Sequence, residues 1–311
     1  MKIAHISDLH LCSKFKKENI AKTKKIIKHA LDNGADHFVF TGDISDNANQ
    51  NDFLILRKIL ETYKLLRTDK ASIVIGNHDI FGGVQTAHDV LNFPSKCAKT
   101  NYKDKVKKFF EHFEELFENA FFPDDNNPFP YAKEIENLLL IGINSIDEYS
   151  RIKNPFASNG HVLKAQKENI QKILNVNRFA EKFKIAMIHH HFFKEDNEAK
   201  SSENSLWNTI ENFTMKLRGK KKLLKLFKEN DIGLVLHGHS HEFKNYDRKG
   251  IKFLNAGAAI DNEKEAEAGV FMIEILGNKI NVNLEVLDKE NIFTSVVSND
   301  EVFIPSFTAQ L

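Results

Sequence analysis

The chain has 311 residues, 41% of them hydrophobic, and a formal net charge of +1. That is enough for one large domain or two small ones with a substantial core, and a charge so near zero excludes a global pull towards nucleic acid or anionic membrane. Two cysteines, Cys12 and Cys97, exclude a disulfide scaffold and fit a reducing compartment; with no bilayer-length apolar run and no charged-then-apolar leader, a soluble cytoplasmic protein is expected.

Residues 1–11 read as a buried strand and its exit loop. Residues 14–33 form a helix, with Ile20, Lys24, Ile27 and Leu31 at three-to-four spacing and Gly34 as the stop. Residues 35–41 are a second strand. Residues 52–66 are a helix with Phe53, Leu56, Leu60 and Tyr63 on one face, and 71–75 are a third strand. This repeated βαβ pattern implies parallel strands.

Residues 81–131 interrupt that rhythm as a Phe-rich insertion. The spacing predicts a helix over 102–122, with Phe109, Phe113, Phe117 and Phe121 four residues apart and Phe110, Leu116 and Phe122 beside them. Two readings stand: an aromatic face packed on the core, or a cap and apolar lip over a site, touching substrate, lipid or a partner. Residues 124–130 are a loop.

Further strands are expected at 138–143, 184–188 and 233–236, with helices at 163–174 and 207–226 and polar loops at 150–160 and 194–205. The second of these helices contains Arg218-Gly219-Lys220-Lys221-Lys222, either a solvated face or a patch steering an anionic substrate. Residues 253–256, 269–276 and 279–287 alternate apolar and polar, and Gly277-Asn278 marks a hairpin between the last two. The tail 292–304 adds one or two more strands. There is no internal repeat or clear linker, so residues 1–311 read as a single domain carrying the insertion.

Five apolar runs end alike. Residues 3–6 lead into Asp8 and His10, 38–40 into Asp43 and Asp46, and 72–75 into Gly76, Asn77, His78 and Asp79. Residues 185–188 lead into His189-His190-His191, and 234–236 into His239 and His241. Strands ending this way point to one site at the carboxyl edge of a sheet. The donors are Asp8, Asp43, Asn77 and the imidazoles of His10, His189 (or His190), His239 and His241, with no thiolate. Such a set suits borderline divalent metals such as Mn, Fe or Zn. It is too large for one tetrahedral zinc and sufficient for two ions sharing a carboxylate, which bind a phosphoryl group and acidify a bridging water. His78 follows a ligand at the reach of a general acid for the leaving alkoxide.

Asp8-x-His10, Gly42-Asp43-x-x-Asp46, Gly76-Asn77-His78-Asp79, His189-His190 and Gly238-His239-x-His241 together resemble the calcineurin-like metallophosphoesterase signature. The resemblance implies an α/β fold, a four-layer αββα sandwich of two mixed β-sheets, with the strands of 251–311 completing the second sheet. It implies one metal held by Asp8, His10 and His241, another by Asn77, His189 and His239, and Asp43 bridging them. It implies attack by a metal-bridging hydroxide, with His78 assisting and oriented by Asp46, and it takes the first His of the pair as the ligand. His191-Phe192 stands where the family often has Pro, and no Arg follows Asp46 as in Ser/Thr protein phosphatases.

The layout, including Asn159-Gly160-His161 ahead of a helix carrying Gln166, looks like bacterial cyclic-nucleotide and glycerophosphodiester phosphodiesterases. A phosphodiesterase acting on a small organic phosphodiester is therefore the leading expectation. The alternatives are a pyrophosphohydrolase on a lipid-linked nucleotide, with peripheral lipid contact through the Phe-rich insertion; a nuclease, disfavoured by the near-zero charge; and a non-catalytic scaffold.

Overall fold

The computed structural model describes residues 1–84, 87–193, 215–257, 259–260, 268–277, 279–288 and 292–303. Its first strands, β1 (Lys2–Ile6), β2 (His37–Phe40) and β3 (Ala71–Ile73), are parallel, and the connections between them carry α1 (Lys17–Asp32) and α2 (Gln50–Thr62). α1 buries Asn19, Thr23, Ile26, Ile27 and Ala30, a stripe at helical period, and ends before Gly34, whose φ of +78° an L side chain rarely adopts. The Asn49 side chain accepts from Asn51 N–H and caps α2.

The second sheet begins with β4 (Tyr131–Ile135) and β5 (Leu138–Ile143), an antiparallel pair. β7 (Phe183–Ile188), β9 (Ile232–His237) and β11 (Ile251–Ala256) add in parallel, and β10 (Phe243–Arg248) closes the far edge, giving the order β10-β11-β9-β7-β5-β4. Along β5 the two faces separate by the period of two. Leu138 and Leu140 join the core between the sheets; Leu139, Ile141 and Ile143 join a second core under α6 (Lys164–Leu174) and α7 (Lys220–Glu229). Helices thus cover both outer faces, and the four-layer αββα sandwich is present. Among the described residues, no helix is long and apolar enough to cross a membrane.

Several expectations are corrected by the structure. The strands β12 (Ala268–Leu276), β13 (Lys279–Leu287) and β14 (Phe293–Phe303) do not complete the second sheet. They extend the first, in the order β14-β13-β12-β1-β2-β3, because β12 pairs antiparallel with the other edge of β1; only β10 and β11 complete the second. The hairpin itself holds, with Leu276 opposite Lys279.

The helix expected over 102–122 stops at His112, as α5 (Tyr102–His112), followed by a 3-10 turn, Glu114–Phe117. The rings explain the break. Phe109, Phe113 and Phe117 belong to the core between the sheets, against Phe53 and Tyr131, whereas Phe121 packs on the second core. One helical stripe cannot reach both. Phe121 instead bridges to Ala132 through backbone hydrogen bonds of 2.8 and 2.9 Å. At these positions the segment is core, not an open apolar lip. A further helix, α4 (Ala87–Lys99), precedes it.

Within the described part of the helix expected over 207–226, residues 215–219 are not helical and the helix begins at Lys220. Arg218 lies in a two-residue strand, β8 (Leu217–Arg218), paired with β6 (Gly160–His161), and Gly219 turns the chain at φ +72°. Residues 207–214 of that expectation, and the loop at 194–205, lie outside the described residues.

Candidate metal centre

The backbone at the strand ends is bent in a particular way. Asp8, His10, Asp43, His239 and His241 have φ of 54°, 42°, 51°, 78° and 46°, in the left-handed region that costs an L residue about 1–3 kcal/mol where it is poorly tolerated. Neighbouring loops hold these turns: Asp8 N–H donates to Gly42 O at 3.1 Å, His10 N–H to Asp43 O at 2.9 Å, and Gly238 N–H to His189 O at 3.0 Å. The loops also need close approach. A Cβ at Gly76 would fall 2.1 Å from Asp43 Oδ1, and one at Gly238 would fall 2.2 Å from Asp8 Oδ2.

These turns gather two triads. In one, Asp8 Oδ1 stands 3.9 Å from His10 Nε2 and 3.7 Å from His241 Nε2. In the other, Asp43 Oδ2 stands 3.3 Å from His189 Nε2, and His239 Nδ1 stands 3.1 Å from the same nitrogen. Asn77 Oδ1 adds a neutral oxygen 3.0 Å from His189 Nε2. Asp43 Oδ2 is also 3.9 Å from His10 Nε2, so one carboxylate oxygen faces both triads. His10 Nε2 is buried and makes no hydrogen bond. A ring nitrogen left so, between two carboxylates, is a donor aimed at an ion.

Charge leads to the same place. Burial opposes ionisation of Asp43, yet His189, His78 and His10 around it hold its carboxyl well below the usual range. Burial likewise opposes the charged form of His189, but the Asp43 carboxylate overrides it and lifts the imidazole to about 9. His239 is pushed well down by burial and by the neighbouring His190 and His189. Buried carboxylates here have to be matched by positive charge. Oxygen and imidazole donors without thiolate fit borderline divalent cations, one at each triad.

All seven expected ligands lie together, and the two members of the His pair differ in their partners. His190 is occupied on both ring nitrogens, by Ser145 Oγ at 2.8 Å and Ser158 O at 3.1 Å, whereas His189 faces the triad. His78 lies at the rim, its ring edge-on to His10 at 4.6 Å. Its backbone N–H donates to Asp43 Oδ1 at 2.8 Å. Asp46 reaches both His78 and His10. Its backbone carbonyl, 3.0 Å from His78 Nδ1, orients that ring, while its carboxylate stands 3.4 Å from His10 Nδ1 and 3.1 Å from Lys16 Nζ. Burial disfavours that charged carboxylate, but His10 and Lys16 bring it down to about 2. Asp46 is a positioning residue.

Two supporting groups escaped sequence reasoning. Asp79 accepts Ser45 N–H and Gly76 N–H, both at 2.8 Å, and so ties the Asp43 loop to the Asn77 turn. Its place three residues after the N-cap Gly76 of α3 (Asn77–Ile80) was the available signal. Thr41 O accepts from His189 Nδ1 at 2.8 Å and so fixes the ring with Nε2 towards the triad. A backbone carbonyl has no residue-type signature.

No curated protein matches the chain by sequence. Among solved structures, a dimetal phosphatase from Danio rerio is similar at TM-score 0.59 and 9% identity, covering 96% of this chain and 98% of that one. Purple acid phosphatase PPD1 from seeds of yellow lupin (Lupinus luteus) is similar at TM-score 0.57 and 14% identity, covering 96% of this chain and 53% of that one. The family model for calcineurin-like phosphoesterases matches residues 1–243, which contain both triads, His78 and the parallel strands β1, β2, β3, β5, β7 and β9. The chain belongs to the calcineurin-like phosphoesterase family.

Proposed function

We propose that the chain hydrolyses a small organic phosphodiester with two divalent transition-metal ions, Mn, Fe or Zn. The observation that carries this reading is Asp43 Oδ2, 3.3 Å from His189 Nε2 in one triad and 3.9 Å from His10 Nε2 in the other. Asp8, His10 and His241 would hold one ion, Asn77, His189 and His239 the second, and Asp43 would serve both. When bound, two such ions supply Lewis acidity towards the phosphoryl oxygens and a water ionised near neutral pH.

The rest falls to the chain. With its Nδ1–H on the Asp46 carbonyl, His78 presents Nε2 to hold a proton for the departing alkoxide oxygen. Asp46 fixes His10 and, through its carbonyl, His78, so that the ligand and the proton donor keep one spacing. The preference for a diester is supported by the layout resembling bacterial cyclic-nucleotide and glycerophosphodiester phosphodiesterases.

The test is elemental analysis together with turnover of bis(p-nitrophenyl) phosphate and p-nitrophenyl phosphate by wild type and Asn77→Ala. About two transition metals per chain, faster diester than monoester hydrolysis and collapse of activity in Asn77→Ala are expected. A chain that takes up no metal after reconstitution and turns over neither ester overturns the reading in favour of a binding module, and activity untouched by Asn77→Ala overturns the assignment of the second ion's ligands.

A further inference from the structure

Two exposed tips share the edge of the sandwich that carries the metal centre. The loop after β1 closes a tight turn in which Lys16 N–H donates to Cys12 O at 3.2 Å, leaving Ser13, Lys14 and Phe15 at its tip. The loop after β5 closes another. Ser150 and Asn154 exchange backbone hydrogen bonds of 3.3 and 2.9 Å and leave Arg151, Ile152 and Lys153 at the tip. The first tip follows the ligand His10 after only Leu11 and Cys12. The second leaves β5, which runs parallel to β7 with Ile143 opposite Ile188, the residue before the ligand His189. Ser145 and Ser158 of the same loop hold the ring of His190.

Ile152 is 90% exposed, more than any other large apolar side chain among the described residues; Phe15 is 66% exposed, and Phe156, on the same loop as Ile152, 50%. Single exposed apolar residues are ordinary, but the turn under Ile152 is firmly built. The buried Asn154 donates from Nδ2 to Asp147 O and Glu148 O, at 3.2 and 3.3 Å, and the buried Asn159 donates to Lys153 O at 3.3 Å. Buried amides thus hold an isoleucine out in water, which burial of apolar surface does not favour. Each tip also sets its apolar side chain between basic ones, as Lys14-Phe15-Lys16 and Arg151-Ile152-Lys153. Lys16 is committed to Asp46, but among the described residues Lys14, Arg151 and Lys153 have no acidic side chain within ion-pair distance. Leu163, also exposed, precedes Lys164 at the start of α6, and Gln166 ties that first turn to Asn144 at the end of β5 by hydrogen bonds of 2.9 and 2.8 Å. Positive charge is crowded there: burial and the neighbouring Lys222 push the Lys167 amine down. Lys222 belongs to the basic run at 218–222, which hydrolysis leaves unused. Basic side chains around a single apolar one match an anionic surface with an apolar interior close beneath it. An acidic protein would need a separate pocket for each tip, whereas a fluid bilayer accepts both at any spacing. With a net charge of +1 the attraction is local to this edge, so it orients the chain.

We propose that the metal-bearing edge docks on an anionic lipid bilayer, with Phe15 and Ile152 entering the headgroup region and Lys14, Arg151 and Lys153 lying at the level of the lipid phosphates. In that orientation the metal centre faces the bilayer surface. The docking does not rest on the phosphodiesterase reading, because neither tip contributes a metal ligand or a proton donor.

The test is co-sedimentation of the full chain, at physiological ionic strength, with vesicles of phosphatidylcholine alone and with vesicles containing about a third phosphatidylglycerol. Melting temperature and metal content are recorded for every variant. We expect binding to the anionic vesicles only. Phe15→Ser and Ile152→Ser should each weaken it by about tenfold. Lys14→Gln should weaken it about fivefold, and Arg151→Gln with Lys153→Gln about thirtyfold. Melting temperature and metal content should stay at their wild-type values, since all five positions are exposed. Equal binding to both kinds of vesicle, binding to neither, or variants at one tip that bind as wild type does overturns the docking. Release of the chain from the anionic vesicles by excess glycerol 3-phosphate also overturns it, because a lipid headgroup in the metal centre would then account for the binding. Tip-dependent binding with no turnover of any phosphoester upholds the docking and removes the hydrolytic reading instead.

Discussion

Lys133 offers a test of how the two sheets are joined. It lies on β4, the edge of the second sheet, is 2% exposed, and donates from Nζ to Ala71 O on β3 at 2.5 Å. Two residues earlier on the same face, Tyr131 donates its hydroxyl to Ile73 O at 2.8 Å and accepts from Ile73 N–H at 3.3 Å. β3 is the edge of the first sheet, and these two side chains take up backbone groups that an edge strand leaves unpaired. Burial pushes the Lys133 amine down to about 7, against a weaker pull upward from the Asp69 carboxylate.

The consequence for stability has a definite sign. Between about pH 7 and the ordinary lysine value near 10.4, the unfolded chain holds the Lys133 proton and the folded chain does not. Stability then rises with pH, by about 1.4 kcal/mol per unit for full occupancy of that difference. Over the whole window the ceiling is about 5 kcal/mol. Guanidinium unfolding of wild type and Lys133→Met at steps from pH 6 to 10 measures it, because the other titrating groups cancel in the difference between the two proteins. We expect wild type to be at its greatest disadvantage to Lys133→Met below pH 7 and to recover towards pH 10, with equal m-values throughout. A difference that stays flat from pH 7 to 10 would refute the reasoning, since it means that the amine keeps its proton in the folded chain.

Tyr131→Phe removes the hydroxyl and leaves Ile73 N–H and O buried, so unfolding free energy should fall by about 1–3 kcal/mol, measured by the same denaturant titration. Gly238→Ala places a Cβ 2.0 Å from Ser7 Oγ and 2.2 Å from Asp8 Oδ2, and we expect a folded protein whose phosphoesterase activity drops by about a hundredfold through displacement of Asp8 and His239. A variant of wild-type activity would show that the loop after β9 yields freely. Manganese at about a hundred times its dissociation constant should add about 2.7 kcal/mol of stability, seen as a higher melting temperature that chelator reverses. The same addition to Asp43→Asn should raise it less.

The candidate ligands were legible because each sits within a few residues of the end of a buried apolar run, where neither strand period nor helix period explains an Asp or a His. What was hidden depends on partners far along the chain. His189 and His190 are alike in sequence; Ser145 and Ser158, supplied by the segment after β5, take both nitrogens of one and leave the other to the site. The Asp46 carboxylate is committed to His10 by a side-chain direction that spacing does not encode. β10 was missed because Phe243–Arg248 is a half-buried edge strand carrying Lys244, Asp247 and Arg248, with little apolar alternation to read.

The phenylalanines show the limit most clearly. Their four-residue spacing is a sound helical signal as far as His112, and α5 obeys it. Beyond that point, the need to place Phe117 in one core and Phe121 in the other outweighs local period, because burying a ring of that size is worth about 1.5–3 kcal/mol and a broken helical turn costs less. The same redistribution brings Tyr131 to the edge of β3, since Phe121 pairs with Ala132 next to it. A segment that reads as an insertion therefore packs into the core and leads into the strand whose Tyr131 and Lys133 bind the free edge of β3.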